Sequence, residues 1–228
     1  RFYTTIKIKN NKILDRNKSI YFSRNERIDN YLNGINYRLN ELQKEYLTEK
    51  IIINSGDLII DCGANIGEFS LFFEKYNDIK VCAFEPDLRE FEILNKNLTK
   101  ETYTTYNIAL SDNNTYETLY LKNDTGDTSL LDNGSKNTTK VECKTLDSFS
   151  FGKIKLLKVE AEGHEEEILN GAKESLRVTE YVTVDCGPEK YGKPNFDEII
   201  RLMQKMNFHI INFNHNRKVF LFKNSIHN

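Results

Sequence analysis

Gly56-Asp57-Leu58-Ile59-Ile60-Asp61-Cys62-Gly63-Ala64-Asn65-Ile66-Gly67-Glu68 is the stretch from which the fold of this chain is read. Leu58, Ile59 and Ile60, extended by Cys62, predict a short strand buried on both faces, the kind a parallel sheet uses. Asp61 sits inside the end of that strand. A turn of small residues then runs straight into an apolar-periodic segment carrying Ile66, Phe69, Leu71, Phe72 and Phe73. Strand, glycine turn and helix in succession bring backbone N–H groups and a positive helix end to one place, where nucleotide-like ligands bind.

The spacing inside the turn selects among such ligands. A dinucleotide fingerprint needs G-x-G-x-x-G, its middle glycine letting the backbone approach a pyrophosphate. Here the pattern is Asp61-x-Gly63-x-Asn65-x-Gly67, with an acid in the strand end and asparagine in the middle position. An acid there repels pyrophosphate and suits a cationic ligand with an ammonium group, such as S-adenosylmethionine. The competing reading is a strand–helix joint that binds nothing.

Outward from this turn the chain alternates strand and helix. Ile79 to Phe84 reads as a strand ended by Glu85-Pro86, Leu88 to Leu98 as a helix, and Tyr103 to Leu110 as a third strand. That succession is a nucleotide-binding half with right-handed crossovers and a parallel sheet. Glu85 ends the strand after the glycine turn, where an acid accepts hydrogen bonds from ribose hydroxyls. The plain alternative is a solvated strand-end acid.

Residues 112 to 140 are polar and turn-rich around an expected strand at Thr118 to Leu121, the composition of a binding loop or an insertion. Val141 to Leu146 predicts a further strand. Ile154 to Val159 and Val182 to Val184 predict two more, ended by Glu160 and Asp185. Glu165 to Glu167 fill a first helical turn, where carboxylates favour the dipole. Phe196 to Met206 reads as a helix, and Phe208 to Phe213 with Val219 to Phe222 as a closing hairpin. The hairpin places one antiparallel strand in an otherwise parallel sheet, the seven-stranded arrangement of methyltransferases.

Before the core, residues 1 to 25 alternate loosely around Asn10-Asn11, which predicts a hairpin or two short strands. Asn25 to Thr48 turns helical, with Gly34 a break point. We therefore divide the chain into an arm at 1–50 and a Rossmann-like domain at 51–228. The arm is a packing element or, more sharply, a lid over the cofactor site or a dimer contact that makes the protein a homo-oligomer.

The 228 residues carry a formal charge of −2, with lysine and arginine scattered among as many acids. That leaves no basic footprint for nucleic acid. Cys62, Cys82, Cys143 and Cys186 form no C-x-x-C pair and read as buried thiols of a reduced, cytoplasmic compartment. No apolar run approaches the ~20 residues of a membrane span. Beginning at Arg1, the sequence reads as a fragment.

Ile60-Asp61-Cys62-Gly63-Ala64-Asn65-Ile66-Gly67, Phe84-Glu85-Pro86, Ala109-Leu110-Ser111-Asp112, Thr145-Leu146-Asp147-Ser148-Phe149 and Leu157-Lys158-Val159-Glu160-Ala161-Glu162-Gly163 occur in the order of the FkbM family of S-adenosylmethionine-dependent methyltransferases. The chain resembles that family from about residue 57 to 172. The family's motif on the fourth strand usually reads Lys-Ile-Asp-x-Glu-Gly, and Glu160 here replaces the aspartate. The arm also resembles a Tyr-x-x-Gly-x-x-x-Arg pattern of bacterial relatives through Tyr31, Gly34 and Arg38. Family members methylate hydroxyls of macrolides, sugars and surface glycans, so the resemblance implies an O-methyltransferase with a small-molecule or glycan acceptor. The alternatives are a cofactor-binding scaffold without turnover and a methyltransferase of a non-sugar acceptor.

Methyl transfer to a hydroxyl needs an aligned acceptor and gains from a base within hydrogen-bond reach. Glu160, His164 and Asp185, at or just after two strand ends, are the candidates. Gly63, Asn65 and Gly67 are expected along the methionine side, Asp61 near its ammonium through water or backbone, and Glu85 on the ribose. Asn107 and Ser111, near the third strand's end, are candidates for the adenine. Glu160, Asp185 and His164 would also suit Mg²⁺, but no ligand spacing demands a metal and none is assigned.

Overall fold

The alternation at the start of the chain forms three strands, not two, in the computed structural model, which describes residues 6–16, 18–122, 128–132, 134–188, 190, 192 and 194–226. They are β1 (Lys7–Lys9), β2 (Lys12–Asp15) and β3 (Lys18–Tyr21), antiparallel in that order. Phe2 and Tyr3, part of the expected pattern, lie outside the described residues. The helical stretch is split at Gly34 into a 3-10 helix (Asn25–Tyr31) and α1 (Ile35–Glu45). Gly34 has φ 98°, a left-handed value that costs glycine little. The Asp15 carboxylate accepts the Ile35 N–H at 2.8 Å and so supplies a partner to an otherwise orphan donor of α1. One apolar cluster joins Ile13, Ile20, Tyr31 and Leu39 of the arm to Ile59 and Phe69, so segments 1–50 and 51–228 share a core.

The glycine stretch folds as read, into β4 (Leu58–Cys62), the turn and α2 (Glu68–Leu71), which tightens into a 3-10 turn at Phe72–Lys75. Next come β5 (Lys80–Phe84), α3 (Leu88–Asn97) and β6 (Tyr103–Tyr106). Asp87 caps α3 by accepting the Arg89 N–H at 3.0 Å. The expected strand Tyr103–Leu110 is broken: β6 stays in the main sheet, while β7 (Ala109–Leu110) joins a second one. The Asn107 side chain between them donates to the carbonyls of Glu85 (2.9 Å) and Pro86 (3.0 Å) and bends the chain around the end of β5.

The polar stretch contributes β8 (Thr115–Tyr120) and β9 (Thr138–Lys144), which build the second sheet in the order β7-β9-β8. Its residues 123–127 and 133 lie outside the described residues. The rest of the chain supplies β10 (Ile154–Val159), α4 (Glu165–Asn170), α5 (Lys173–Arg177), β11 (Thr179–Asp185), α6 (Phe196–Lys205), β12 (Phe208–Asn214) and β13 (Val219–Asn224). The main sheet is seven-stranded in the order β12-β13-β11-β10-β4-β5-β6. All neighbours from β11 to β6 are parallel, and β13 runs antiparallel to both β11 and β12.

Successive strand residues point to opposite faces, and the two cores follow from that. Ile59, Val81, Leu156 and Leu221 belong to the cluster on one face, and Ile60, Cys82, Leu157 and Phe222 to that on the other. Burial on both faces is why Leu58–Ile60 of β4 and Val81–Phe84 of β5 read as continuous apolar runs. All four cysteines are buried free thiols.

Candidate active site

The C-terminal ends of β4, β5, β10 and β11 open on a cavity of about 790 Å³, at the edge where open α/β sheets bind ligands. The arm, the second sheet and the β12–β13 turn wall it in, through Tyr46, Leu119 and Arg217 among others.

The glycine turn is tied to the sheet by its own amides. The N–H groups of Gly63 and Ala64 both donate to the Phe84 carbonyl, at 3.1 and 3.0 Å, and that of Asn65 to Glu85 Oε2 at 2.7 Å. The Ile66 N–H is taken by Asn65 Oδ1 at 2.8 Å, and the Gly67 N–H by the Ala64 carbonyl at 2.8 Å. The turn therefore offers no cradle of free donors to an anion, unlike a pyrophosphate site. Gly63 and Asn65 line the cavity, and Gly67 does not. At Gly63 a Cβ would lie 1.8 Å from the Glu160 carbonyl oxygen, so glycine is needed for the end of β10 to pass. At Gly67, with φ 90°, a Cβ would lie 2.8 Å from Leu94 Cδ1, which makes it a packing position against α3.

Glu85 is buried on the cavity wall. Its Oε2 accepts from Asn65 and its Oε1 from the Asp87 N–H at 2.9 Å, leaving lone pairs on each oxygen. Burial pushes its carboxyl up to about 8, against the pull of those amides. Asn107 and Ser111 are not on the wall, which is reached instead by Ile108, Ala109 and Leu110. Asn107 serves the chain bend, and the fully buried Ser111 hydroxyl lies 2.9 Å from His164 Nε2.

Asp61 is also off the wall and fully buried. Its position follows from register: β4 and β10 pair Asp61 with Lys158, and the Lys158 ammonium stands 3.1 Å from Asp61 Oδ1. Ser70 donates to the other carboxylate oxygen at 2.7 Å. Lys158 also reaches Glu160 Oε2 at 3.1 Å and the Gly63 carbonyl at 2.8 Å, and it lines the cavity. Burial works against its charge, but Asp61 and Glu160 hold it above the ordinary lysine range. Lys158 escaped the sequence reading, although a lysine inside an apolar strand signals a buried partner. Asp61 in the neighbouring strand is that partner.

Of the three candidate bases the structure brings two together. Arg217 Nη2 lies 3.1 Å from Glu160 Oε1 and 3.2 Å from Asp185 Oδ2, with the Tyr46 hydroxyl at 3.4 Å. Burial alone would raise the Glu160 carboxyl, but Lys158, Tyr46 and Arg217 outweigh it and hold it below the usual carboxylate range. Asp185 Oδ1 accepts the Gly187 N–H at 3.1 Å. His164 also lines the cavity but turns its ring toward Ser111. Its Nδ1 is buried without a hydrogen-bond partner among the described residues, and burial lowers its pKa despite nearby Glu167, Glu117 and Asp112.

Glu165, read from sequence as one of three dipole-favouring acids, has a more specific place. Its Oε1 accepts the N–H groups of Ala161 (2.9 Å) and Gly163 (3.1 Å), and its Oε2 accepts from Asn195 at 3.2 Å. It straps down the loop that carries Glu160. Among the described residues no group of three or more His, Cys, Asp or Glu side chains is arranged to hold a metal ion, and no helix is long and apolar enough to cross a membrane.

The family model of the FkbM methyltransferase domain matches residues 61–210. The crystal structure of an FkbM methyltransferase from Methylobacillus flagellatus KT is 15% identical with a TM-score of 0.55, over 86% of this chain and 52% of that one. The chain thus spans about half the length of that relative. The crystal structure of a fibrillarin/Nop5p complex is 11% identical with a TM-score of 0.53, over 96% of each chain. No curated protein matches the sequence. At these identities the solved structures speak for the fold, a Rossmann-like methyltransferase fold, and the family model speaks for descent: the chain belongs to the FkbM methyltransferase family.

Proposed function

We propose that the chain is an S-adenosylmethionine-dependent O-methyltransferase acting on a hydroxyl of a carbohydrate, as part of a surface-glycan precursor. The observation that carries the cofactor reading is Glu85, a buried carboxylate on the cavity wall beside a glycine turn whose amides are already used. A ribose diol donates to such an acid, and a turn without free donors accommodates a cationic ligand better than a pyrophosphate. Acids also outnumber lysines and arginines along the wall. Gly63 and Asn65 would border the sulfur side, and Pro86 and Ile108 would supply apolar wall next to Glu85 for an adenine. When bound, the cofactor supplies a methyl group on a cationic sulfur.

The carbohydrate reading rests on the opposite flank. Glu160, Asp185 and Arg217 lie about Tyr46 there and Asn216 lines the same cavity, planar polar groups near an aromatic ring that suit sugar hydroxyls. Glu160 and Asp185 are held at fixed distances by Arg217, so they orient an acceptor hydroxyl by accepting its hydrogen bond. Either carboxylate would take up the hydroxyl proton as the oxygen–methyl bond forms and the methyl–sulfur bond breaks, with neutral S-adenosylhomocysteine as the leaving group. The depressed Glu160 carboxyl makes this a weak base, so alignment contributes more than proton removal. His164 holds the β10 loop against Ser111 instead. Four buried thiols fit a reducing compartment such as the cytoplasm.

Calorimetric titration with S-adenosylhomocysteine tests the cofactor, and a methyl-transfer screen over nucleotide-sugars tests the acceptor. We expect binding, then methylation of a sugar hydroxyl. Glu160→Gln and Asp185→Asn should lower turnover while leaving S-adenosylhomocysteine affinity nearly intact. Failure to bind S-adenosylhomocysteine refutes the cofactor reading, and transfer only to non-sugar acceptors refutes the carbohydrate.

A further inference from the structure

The arm contributes a row of alternating charges to the cavity wall. Arg27 Nη1 lies 3.0 Å from Glu68 Oε2, Arg38 Nε 3.2 Å from Glu68 Oε1, and Arg38 Nη1 3.4 Å from Glu45 Oε1. All four side chains line the cavity, and the Tyr31 hydroxyl donates to Glu68 at 2.7 Å. The break at Gly34 lets Tyr31 and Arg38, on two different helical segments, meet at one carboxylate. Arg38 retains Nη2, which has no hydrogen-bond partner among the described residues, on a side chain only 19% exposed.

The place of this row along the sheet edge narrows what it meets. α1 continues from Glu45 into Tyr46, whose ring lies 5.2 Å from the Lys158 ammonium of β10. Arg38 thus bridges the first residue of α2, Glu68, just after the glycine turn, to Glu45, which adjoins Tyr46 on the β10 flank. A methyl donor with its ribose at Glu85 extends its amino-acid end in that direction. That end is a zwitterion, neutral overall, and a neutral row of alternating charges matches it without net repulsion.

We propose, resting on the reading of the cavity as a methyl-donor site, that Arg38 binds the carboxylate of the donor's amino-acid end. Glu68 takes Nε of its guanidinium and Glu45 takes Nη1, which leaves Nη2 to donate a charge-assisted hydrogen bond to the ligand's carboxylate. Glu45 beside it presents the opposite charge to the ammonium. The arm is then part of the binding site as well as its cover.

Calorimetry on the wild-type chain compares S-adenosylmethionine with decarboxylated S-adenosylmethionine, which differ only in the carboxylate. The decarboxylated ligand should bind about ten- to a hundredfold more weakly, the range of one charge-assisted hydrogen-bonded pair. Arg38→Gln should weaken S-adenosylmethionine by a similar factor and abolish the difference between the two. Its affinity for 5′-methylthioadenosine, which has no amino-acid end, should change less than about twofold, and Arg38→Lys should recover part of the loss. Equal binding of the two ligands by the wild type overturns the proposal, and that measurement needs no variant to fold. So does a parallel loss of S-adenosylmethionine and 5′-methylthioadenosine in Arg38→Gln, which would mark a general collapse of the site. A wild type that binds none of these ligands would remove the methyl-donor reading itself.

Discussion

Asp61→Ala should unfold the protein more readily long before its effect on any ligand is measured. The Asp61 and Lys158 side chains are 0% and 3% exposed, with Nζ 3.1 Å from Oδ1. At that separation the attraction is about 5 kcal/mol for an effective dielectric of about 20. Removing one partner of a buried pair costs ~3–5 kcal/mol, because the other charge stays buried and uncompensated. Here the lower end applies, since Glu160 at 3.1 Å and the Gly63 carbonyl at 2.8 Å still hold the ammonium. The Ser70 hydroxyl, which loses its acceptor, adds about 1 kcal/mol. The sum is a destabilisation of about 4 kcal/mol, or a melting temperature lower by roughly 8–16 °C for a chain of this size. Urea unfolding of Asp61→Ala, Lys158→Met and the double variant measures it. The double variant should be more stable than the summed single losses imply, by about 2 kcal/mol, because it leaves no stranded charge. A loss below about 1 kcal/mol in Asp61→Ala would refute the buried-pair assignment. So would weakened S-adenosylhomocysteine binding at unchanged stability, which would return Asp61 to the ligand.

Three further outcomes follow from neighbouring residues. With its carboxyl raised to about 8, Glu85 is largely protonated at neutral pH, and a protonated acid is the poorer acceptor for a diol. Binding of 5′-methylthioadenosine should therefore tighten about tenfold from pH 7 to 9 as Glu85 ionises, and Glu85→Gln should flatten the profile; a flat wild-type profile removes the diol contact. Gly63→Ala must displace the end of β10, since its Cβ would meet the Glu160 carbonyl at 1.8 Å, so both stability and S-adenosylhomocysteine binding should fall sharply; a wild-type melting temperature would contradict the close approach. Glu165→Ala strands the Ala161 and Gly163 amides, at about 2 kcal/mol or more, and hydrogen exchange at those two amides should speed up while exchange within β4 stays slow.

The apolar runs Leu58–Ile60 and Val81–Phe84, the glycine turn and the C-terminal hairpin carried the fold in the linear chain, because two-sided burial and turn geometry are local constraints. For the same reason the sequence could place Glu85, Glu160 and Asp185 at strand ends, which in the structure border the cavity. What the sequence left open were the partners of each charge. Asp61 reads as a ligand acid until the register of β4 against β10 sets it beside Lys158. Nothing local distinguishes Glu165 from Glu166 and Glu167, yet only the first folds back onto the Ala161 and Gly163 amides. Arg217 meets Glu160 across 57 residues, and Arg38 meets Glu68 across 30. Periodicity records which way a side chain points relative to its own strand or helix. Which opposite charge waits there is decided when distant segments pack, because an ion pair in a low-dielectric interior depends on separations of a few ångströms that no spacing along the chain encodes.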